Sequence, residues 1–185
     1  MKQRVYLVTG NPNKLQEWKR ILPADSALEL EPLNVDIPEI QSLDLIEIIT
    51  DKAHKAFAAA DGPVIVEDIS AGLDELDGLP GPFIKYFEQS LGKGALHKLA
   101  KNDPTPATLT AVMAYYDGST LLVATSDLRG QVVSPRGGEG WGFDFCFVPD
   151  GSTKTFSEMG PEAKDKTSHR SLAMQDLIQQ ITELT

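Results

Sequence analysis

The stretch VYLVTGNPNK at residues 5–14 decides the fold of this 185-residue chain. Residues 5–8 form a short apolar run typical of a buried strand, and Thr9-Gly10 interrupts it. Asn11 and Pro12 then have the form of a helix N-cap followed by proline at the first helical position. Apolar residues follow at the i, i+3 and i+7 spacing of one helix face: Leu15, Trp18 and Leu22. A strand that turns at a glycine into a helix indicates an α/β protein.

The rest of the sequence continues this alternation and then changes to hairpins. Strands are predicted at residues 28–37 and 64–66, and a helix capped by Ser42 runs through residue 60. Asp117-Gly118 predicts a hairpin between strands at 108–116 and 120–126. Shorter elements are predicted as follows: helices at 83–89, 94–100 and from Ser168, and strands at 128–133 and 145–148. We therefore expect an α/β fold with a mixed sheet, in a single domain over residues 1–185.

The charge balance restricts the partners of the chain. Lys and Arg number 17 against 27 Asp and Glu, which gives a net charge of −10. Such a surface repels nucleic acid and anionic membranes, so we expect neither as a partner. One small polyphosphate remains possible where a divalent metal and local lysines reverse the sign. The initial apolar run is too short for a signal peptide or a membrane span, so the cytoplasm is the expected location.

Several common chemistries are excluded by the residues present. Cys146 is the only cysteine and there are three histidines, so an internal disulfide and a multi-thiolate zinc site are ruled out. Gly92-Lys93 lacks the spacing of a P-loop, and the glycines at 137–142 lack the dinucleotide-binding register. No nucleophile-elbow serine or HExxH motif occurs.

Two segments in the first half could bind a phosphorylated ligand. Thr9 to Lys14 places backbone N–H groups, the positive end of a helix and a lysine together, although an ordinary glycine turn with an N-cap is the simpler explanation of this segment alone. Glu67-Asp68 follows the strand at 64–66, where the two carboxylates could hold Mg²⁺ and orient a water. A solvated acidic loop is the alternative. Glu39 is a possible third carboxylate, or a plain surface residue.

Two segments in the second half could bind a base. Trp141 and Phe143 flank a glycine and could enclose a flat ring, with Asp144 accepting a hydrogen bond, although a core strand of aromatics has the same pattern. Lys164 to Arg170 forms a basic cluster that is predicted to open the last helix. Basic residues are unfavourable at a helix N-terminus, which marks a site, unless the stretch is simply solvated.

The order of these segments resembles the inosine triphosphate pyrophosphatase family along nearly the whole chain. The resemblance rests on these motifs: Thr9-Gly10-Asn11-x-x-Lys14-x-x-Glu17, Asp36-x-Pro38-Glu39, Val66-Glu67-Asp68, Gly78-Leu79-Pro80-Gly81-Pro82-x-Ile84-Lys85, Ser134-Pro135-Arg136-Gly137, Gly142-Phe143-Asp144 and Ser168-His169-Arg170. The run at residues 79–82 looks like the eukaryotic-type branch. The resemblance implies an elongated α/β domain with a long mixed sheet, two lobes with a central cleft, and a homodimer.

The resemblance also implies an activity. Members of the family hydrolyse deaminated purine nucleoside triphosphates (ITP, dITP and XTP) with Mg²⁺, giving the monophosphate and pyrophosphate and so cleaning the nucleotide pool. By resemblance, Lys14 and Asp68 are catalytic, and Glu39 with Asp68 holds the metal. Asp68 also orients or deprotonates the attacking water, while Thr9, Asn11, Lys14 and Lys164 hold the triphosphate.

The remaining residues are implied to bind the base. Trp141 and Phe143 would flank it, and Asp144 would lie near its edge or the ribose. Ser168 belongs to the same set, and His169 and Arg170 would donate to the 6-oxo group. Because adenine presents a 6-amino donor there, such a pocket leaves buried donors unpaired against adenine.

Two positions depart from the family pattern. Ile69 stands where Thr or Ser is usual, and Phe145 stands where proline is usual. These changes keep open a pyrophosphohydrolase for another modified nucleotide. A non-catalytic nucleotide sensor is the other alternative, and retention of Glu39, Asp68 and Lys14 favours the enzyme.

Overall fold

The computed structural model describes residues 2–184 of the chain. The strands are β1 (Gln3–Val8), β2 (Leu28–Leu33), β3 (Val64–Leu73), β4 (Pro80–Gly81), β5 (Thr105–Tyr116), β6 (Leu121–Val132) and β7 (Phe147–Pro149). The helices are α1 (Pro12–Ile21), α2 (Leu45–Ala59), α3 (Ile84–Leu91), α4 (Ala95–Leu99), α5 (Phe156–Met159), α6 (Pro161–Thr167) and α7 (His169–Leu184), with 3-10 turns at Asp74–Leu76 and Gly142–Phe145.

The seven strands form one mixed sheet in the described residues, which confirms the predicted fold class. Its order is β2-β1-β3-β5-β6-β7, and β4 pairs with β3. β1 lies parallel to β2 and to β3, with Tyr6 opposite Val64. β4 and β7 are antiparallel to their partners β3 and β6. Parallel strands in the first half need helical crossovers, which α1 and α2 provide.

The first strand, turn and helix form as predicted. The Asn11 Oδ1 accepts the backbone N–H of Asn13 at 2.9 Å, and Pro12 is the first residue of α1. The Thr9 Oγ1 accepts the backbone N–H of Asn11 at 3.1 Å, which closes the turn. Trp18 is completely buried on the inner face of α1.

β3 is longer than the sequence predicts, and this changes the position of the acidic pair. The strand does not end at residue 66 but continues to Leu73, so Glu67 and Asp68 lie inside it. The prediction that the strand ends just before Glu67-Asp68 was therefore wrong, and the alternative of a solvated acidic loop was wrong as well. Local pattern indicates a loop because a charged pair rarely continues a buried strand, but Glu67 is buried against cationic partners from other elements.

Other boundaries also differ from the prediction. α2 is capped by Asp44, whose Oδ1 accepts the N–H of Ile46 at 2.8 Å, and Ser42 lies just outside the helix. β2 ends at Leu33, and the strand predicted at 128–133 is the continuation of β6. The segment before α7 contains the additional helices α5 and α6.

The described residues divide into two compact units. The first comprises the residues up to Asp68, residues 111–126 and those from Arg170 onward; the second comprises residues 69–110 and 127–169. The first unit has a core around Ile49, Ala53, Val64 and Val112. The second buries Ile84, Leu96, Phe147 and Phe156. The single domain predicted for residues 1–185 stays a prediction. In the described part of the chain, no helix is long and apolar enough to cross a membrane.

Candidate active site

Glu67 is the centre of a buried charged cluster in the first unit. Its side chain is 1% exposed, and its Oε1 lies 2.8 Å from the Nζ of Lys14. The indole Nε1 of Trp18 donates to its Oε2 at 3.1 Å. Burial alone raises the pKa of the Glu67 carboxyl, but the charges of Lys14 and Arg170 and the bonds from Lys14 and Trp18 lower it to about 2. Glu67 is therefore ionised at any ordinary pH.

Arg170 belongs to the same cluster. Its Nη1 donates to the Oε2 of Glu17 at 2.6 Å, and its Nε lies 3.5 Å from the Oε1 of Glu67. The guanidinium is 2% exposed. Two carboxylates, Glu17 and Glu67, thus face two cations, Lys14 and Arg170, and the buried charges balance. The predicted contact between Arg170 and a purine stays a prediction.

A second lysine lies beside the two carboxylates expected to hold a metal. The Nζ of Lys52, on α2, lies 2.6 Å from the Oε1 of Glu39 and donates to the backbone carbonyl of Glu67 at 3.0 Å. Burial lowers the pKa of the Lys52 ammonium, but the negative charges of Asp68, Glu39 and Glu67 outweigh this and raise it. Lys52 therefore carries a full positive charge next to Glu39 and Asp68.

Sequence reasoning missed Lys52, although a signal for it existed. Ile48 and Ala56 lie four residues before and after it, and both are buried on α2. A lysine on the buried stripe of an amphipathic helix requires a carboxylate or carbonyl partner, because an unpaired buried ammonium is costly. Lys52 finds both kinds of partner.

In the second unit, the Trp141–Asp144 loop is held by Lys164. The Nζ of Lys164 donates to the Oδ2 of Asp144 at 2.8 Å, and both side chains are buried. The same Oδ2 accepts the backbone N–H of Trp141 at 3.2 Å. The Lys164 ammonium also lies 5.3 Å from the centre of the Trp141 ring. The role predicted for Lys164, binding triphosphate, stays a prediction.

His169 and Phe143 form an aromatic layer next to this loop. The His169 ring is buried, with its centre 5.9 Å from that of Phe143 and 6.3 Å from that of Phe156. The backbone N–H of Ser168 donates to the carbonyl of Lys164 at 2.8 Å and ends α6. The second unit thus brings together the predicted residues Trp141, Asp144 and Lys164, and likewise Phe143 and His169.

The basic cluster is divided between two helices, so the prediction that all of it opens the last helix was wrong. Lys164 and Lys166 do not open the last helix but lie in the last turn of α6, where positive charge is favourable. Only His169 and Arg170 begin α7. The separate helix was missed because its proline start, Pro161, follows α5 after a single glycine.

The two departures from the family pattern are both buried. Ile69 lies on β3, and Phe145 closes the 3-10 turn with the Lys93 Nζ 4.5 Å from its ring centre. Cys146 is buried too, and burial raises the pKa of its thiol to about 12. A thiol that is buried and protonated in this way is a poor nucleophile in the folded protein.

Solved structures place the fold in a known class of α/β proteins. A HAM1 protein from Coxiella burnetii superposes with a TM-score of 0.82 at 24% identity, over 99% of this chain and all of that one. A family model, that of the Ham1 family, matches residues 5–180. The chain belongs to the Ham1 family.

Relatives of known name cover almost the same length. A dITP/XTP pyrophosphatase of Methanopyrus kandleri is 37% identical over 175 residues, which are 93% of each chain. An inosine triphosphate pyrophosphatase of Phaeosphaeria nodorum is 39% identical over 92% of this chain and 89% of its own. The resemblance stated from the motifs is thereby confirmed.

Proposed function

We propose that this protein is a nucleoside triphosphate pyrophosphatase that hydrolyses ITP, dITP and XTP to the monophosphate and pyrophosphate. Its membership of the Ham1 family and the names of its relatives support the reaction class. The structural observation that carries the proposal is the cluster in the first unit. There, in a chain of net charge −10, Lys14 and Lys52 lie against Glu67 and Glu39, next to Asp68.

The lysines and the start of α1 supply positive charge for the triphosphate. Phosphoryl transfer depends mainly on positioning and on neutralising charge, so two ammonium groups and a helix N-terminus suit it. Thr9 and Asn11 form the turn that leads into the N-terminus of α1, and their side chains order it by accepting the N–H groups of Asn11 and Asn13. We assign the phosphates to these groups and to Lys14 and Lys52, with Lys164 as a further contact.

Asp68 is the proposed base. Its carboxylate orients a water and accepts its proton as the water oxygen bonds to the α-phosphorus. The bond from that phosphorus to the α–β bridging oxygen breaks, and pyrophosphate leaves with the electron pair. Asp68 is half-buried on β3, a rigid strand, which suits a group that must hold water in line.

We propose Mg²⁺ as the cofactor, with Glu39 and Asp68 as its protein ligands. Carboxylate oxygens are the donors that Mg²⁺ prefers, and it commonly uses one or two of them together with substrate phosphates. Among residues 2–184, no three His, Cys, Asp or Glu side chains form a group that could hold a metal. The donor set therefore fits an ion shared with the phosphates. When bound, such an ion neutralises phosphate charge.

Base selection is assigned to the second unit, with Arg170 as an additional donor. Trp141 and Phe143 are proposed to flank the base, Asp144 and Ser168 to lie near its edge or the ribose, and His169 to donate to the 6-oxo group. A His169→Phe variant keeps a ring against Phe143 but removes the donors. We expect it to reduce the preference for ITP over ATP about 10-fold, the effect of one unpaired buried donor. If the ratio of kcat/KM for ITP to kcat/KM for ATP did not change, His169 would not be a residue that distinguishes the bases.

The function is tested by pyrophosphate release with Mg²⁺ on a panel of triphosphates. The panel contains inosine, deoxyinosine, xanthosine, adenosine, guanosine and pyrimidine nucleotides. We expect the deaminated purines to be preferred about 10-fold or more, and activity to disappear with EDTA and return with Mg²⁺. A preference for another nucleotide would favour a different modified substrate. Binding without turnover would favour a nucleotide sensor.

We also propose a homodimer in the cytoplasm, with no nucleic-acid or membrane partner. The family resemblance supports the dimer, and the net charge of −10 argues against polyanionic partners. Light scattering on the protein as it elutes from a size-exclusion column measures its mass and distinguishes a monomer from a homodimer.

A further inference from the structure

Glu67 contacts both lysines of the proposed phosphate site, although it faces the interior. Its carboxylate binds the Lys14 ammonium at 2.8 Å, and its backbone carbonyl accepts a hydrogen bond from Lys52 at 3.0 Å. The next residue on β3 is Asp68. Lys14, Lys52 and the proposed base Asp68 are thus all held by, or part of, one short segment of β3.

Within residues 2–184, the Lys14 ammonium is held from its buried side, by Glu67. It is 20% exposed, whereas Glu67 is 1% exposed, so the ammonium lies at the edge of the buried cluster. An ammonium has three N–H donors, and Glu67 takes one of them. A lysine side chain loses up to about 2 kcal/mol of rotamer entropy when it is fixed in place. Because Glu67 already holds the side chain in the folded protein, this entropy is lost on folding and not when the phosphate binds.

Stability alone does not account for the arrangement. Buried ion pairs can often be replaced by apolar residues without loss, because desolvation offsets their attraction. Here the Glu67 carboxylate receives Lys14, Trp18 and Arg170, which come from two helices at opposite ends of the chain. The carboxylate thus holds the Lys14 ammonium against the segment of β3 that also carries Asp68.

We propose that Glu67 is a positioning residue that acts through Lys14. It holds the Lys14 ammonium at a fixed distance from Asp68, so that the triphosphate is aligned for attack on its α-phosphorus. This inference rests on the proposed function. It assigns to Glu67 neither contact with substrate nor a ligand bond to metal.

The test is a double-mutant cycle of Glu67→Gln and Lys14→Gln, measured with ITP and Mg²⁺. We expect Glu67→Gln to lower kcat about 10- to 100-fold, the usual cost of a small misplacement. KM should change less than about threefold, since the variant also removes a negative charge near the phosphates. In the Lys14→Gln background the same substitution should cost less than about threefold in kcat, because its target is gone.

Stability is measured on the same proteins to separate positioning from folding. Each single variant leaves one buried charge in excess, whereas the double variant restores the balance, so its Tm should exceed that of either single variant. Glu31→Gln is the matched control, because Glu31 pairs with Arg4 at the surface of the same unit. It should leave kcat and Tm unchanged. If Glu67→Gln does not fold, Glu67→Asp replaces it in both backgrounds, since it keeps the charge but shortens its reach.

Two results would overturn the inference. One is an equal loss of kcat on Glu67→Gln in the parent protein and in the Lys14→Gln variant, which would indicate that Glu67 acts independently of Lys14. The other is a kcat for Glu67→Gln equal to that of the parent protein. Failure of the parent protein to hydrolyse ITP is a different outcome, because it contradicts the proposed function itself.

Discussion

Asp68 stands on β3 between a buried carboxylate and a buried isoleucine, so only one of three consecutive side chains reaches solvent. The neighbouring Glu67 is occupied by Lys14 and Trp18, and Ile69 belongs to the core. This alternation, which strand geometry imposes, separates the role of each carboxylate. The outward residue is the one able to meet a water.

Asp68→Asn is expected to lower kcat for ITP about 10²- to 10⁴-fold, because the amide cannot accept the proton from water. Much of the nucleotide binding should remain, since the lysines are unchanged. Steady-state kinetics and calorimetry with a non-hydrolysable ITP analogue measure the two effects. Asp25→Asn, at an exposed turn of the same unit, is the control. Turnover at the parent rate would show that Asp68 is not the base.

The buried Glu67 should make stability depend on acid pH. Its pKa lies at about 2 in the folded protein, below the ordinary value of 4.5, so the unfolded chain takes up the proton first. The stabilisation is complete above pH about 4.5 and is lost as the pH falls towards about 2. Urea unfolding measures the free energy of unfolding of the parent protein and of Glu67→Gln. The difference between the two values should become smaller from pH 6 to pH 3. A constant difference would contradict the assignment.

At the scale of elements, the cap of α2 decides where that helix begins. Asp44 accepts the N–H groups of Ile46 and Glu47, whereas the Ser42 hydroxyl accepts the N–H of Asp44 and donates to the Glu47 side chain. Both residue types are good caps, and the sequence prediction placed the cap at Ser42, two residues too early. The choice matters because α2 carries Lys52.

Asp44→Ala is expected to lower the free energy of unfolding by about 1 kcal/mol, the usual value of a helix cap. Ser42→Ala should cost less than half of that, because its contacts are exposed and the N–H groups of the first turn are bonded by Asp44 instead. Chemical denaturation of the two variants beside the parent gives both numbers. A larger loss for Ser42→Ala would restore Ser42 as the cap.

The elements that could be predicted are those whose signals are local. The turn at Thr9-Gly10 and the cap at Asn11 concern neighbouring residues, and both form as expected. The length of β3 and the burial of Lys52 depend on partners from elsewhere in the chain. Arg170 and Glu17 are 153 positions apart, and no pattern within a segment reveals such a pair. The motifs identified which residues matter, but not their contacts.

At the scale of the whole molecule, charge is the dominant property. A net charge of −10 surrounds a site proposed to bind an anion, so attraction must come from a few local cations. Lys14 and Lys52 are proposed to supply it without changing the overall sign. We therefore expect this arrangement to admit one small polyphosphate and to repel long polyanions.

We accordingly expect no binding of duplex DNA or RNA at about 0.15 M salt. At that salt, charges are screened beyond about 8 Å, so binding would need many local cations in contact with phosphates. Fluorescence anisotropy with a labelled 20-mer duplex, from low to physiological salt, makes the measurement. Binding that weakens steeply with added salt would indicate a basic surface that the net charge conceals.

Cys146 gives the molecule a practical property. It is the only thiol in the sequence, it is buried, and burial raises its pKa to about 12. The thiolate is the species that attacks maleimide and disulfide reagents, so a buried thiol that stays protonated does not react with them in the native fold. A cysteine introduced at the surface can therefore carry a fluorophore or spin label with little background. Local unfolding of the second unit would expose the Cys146 thiol to such reagents. The rate at which Cys146 is labelled in the unmutated protein therefore measures how often that unfolding occurs.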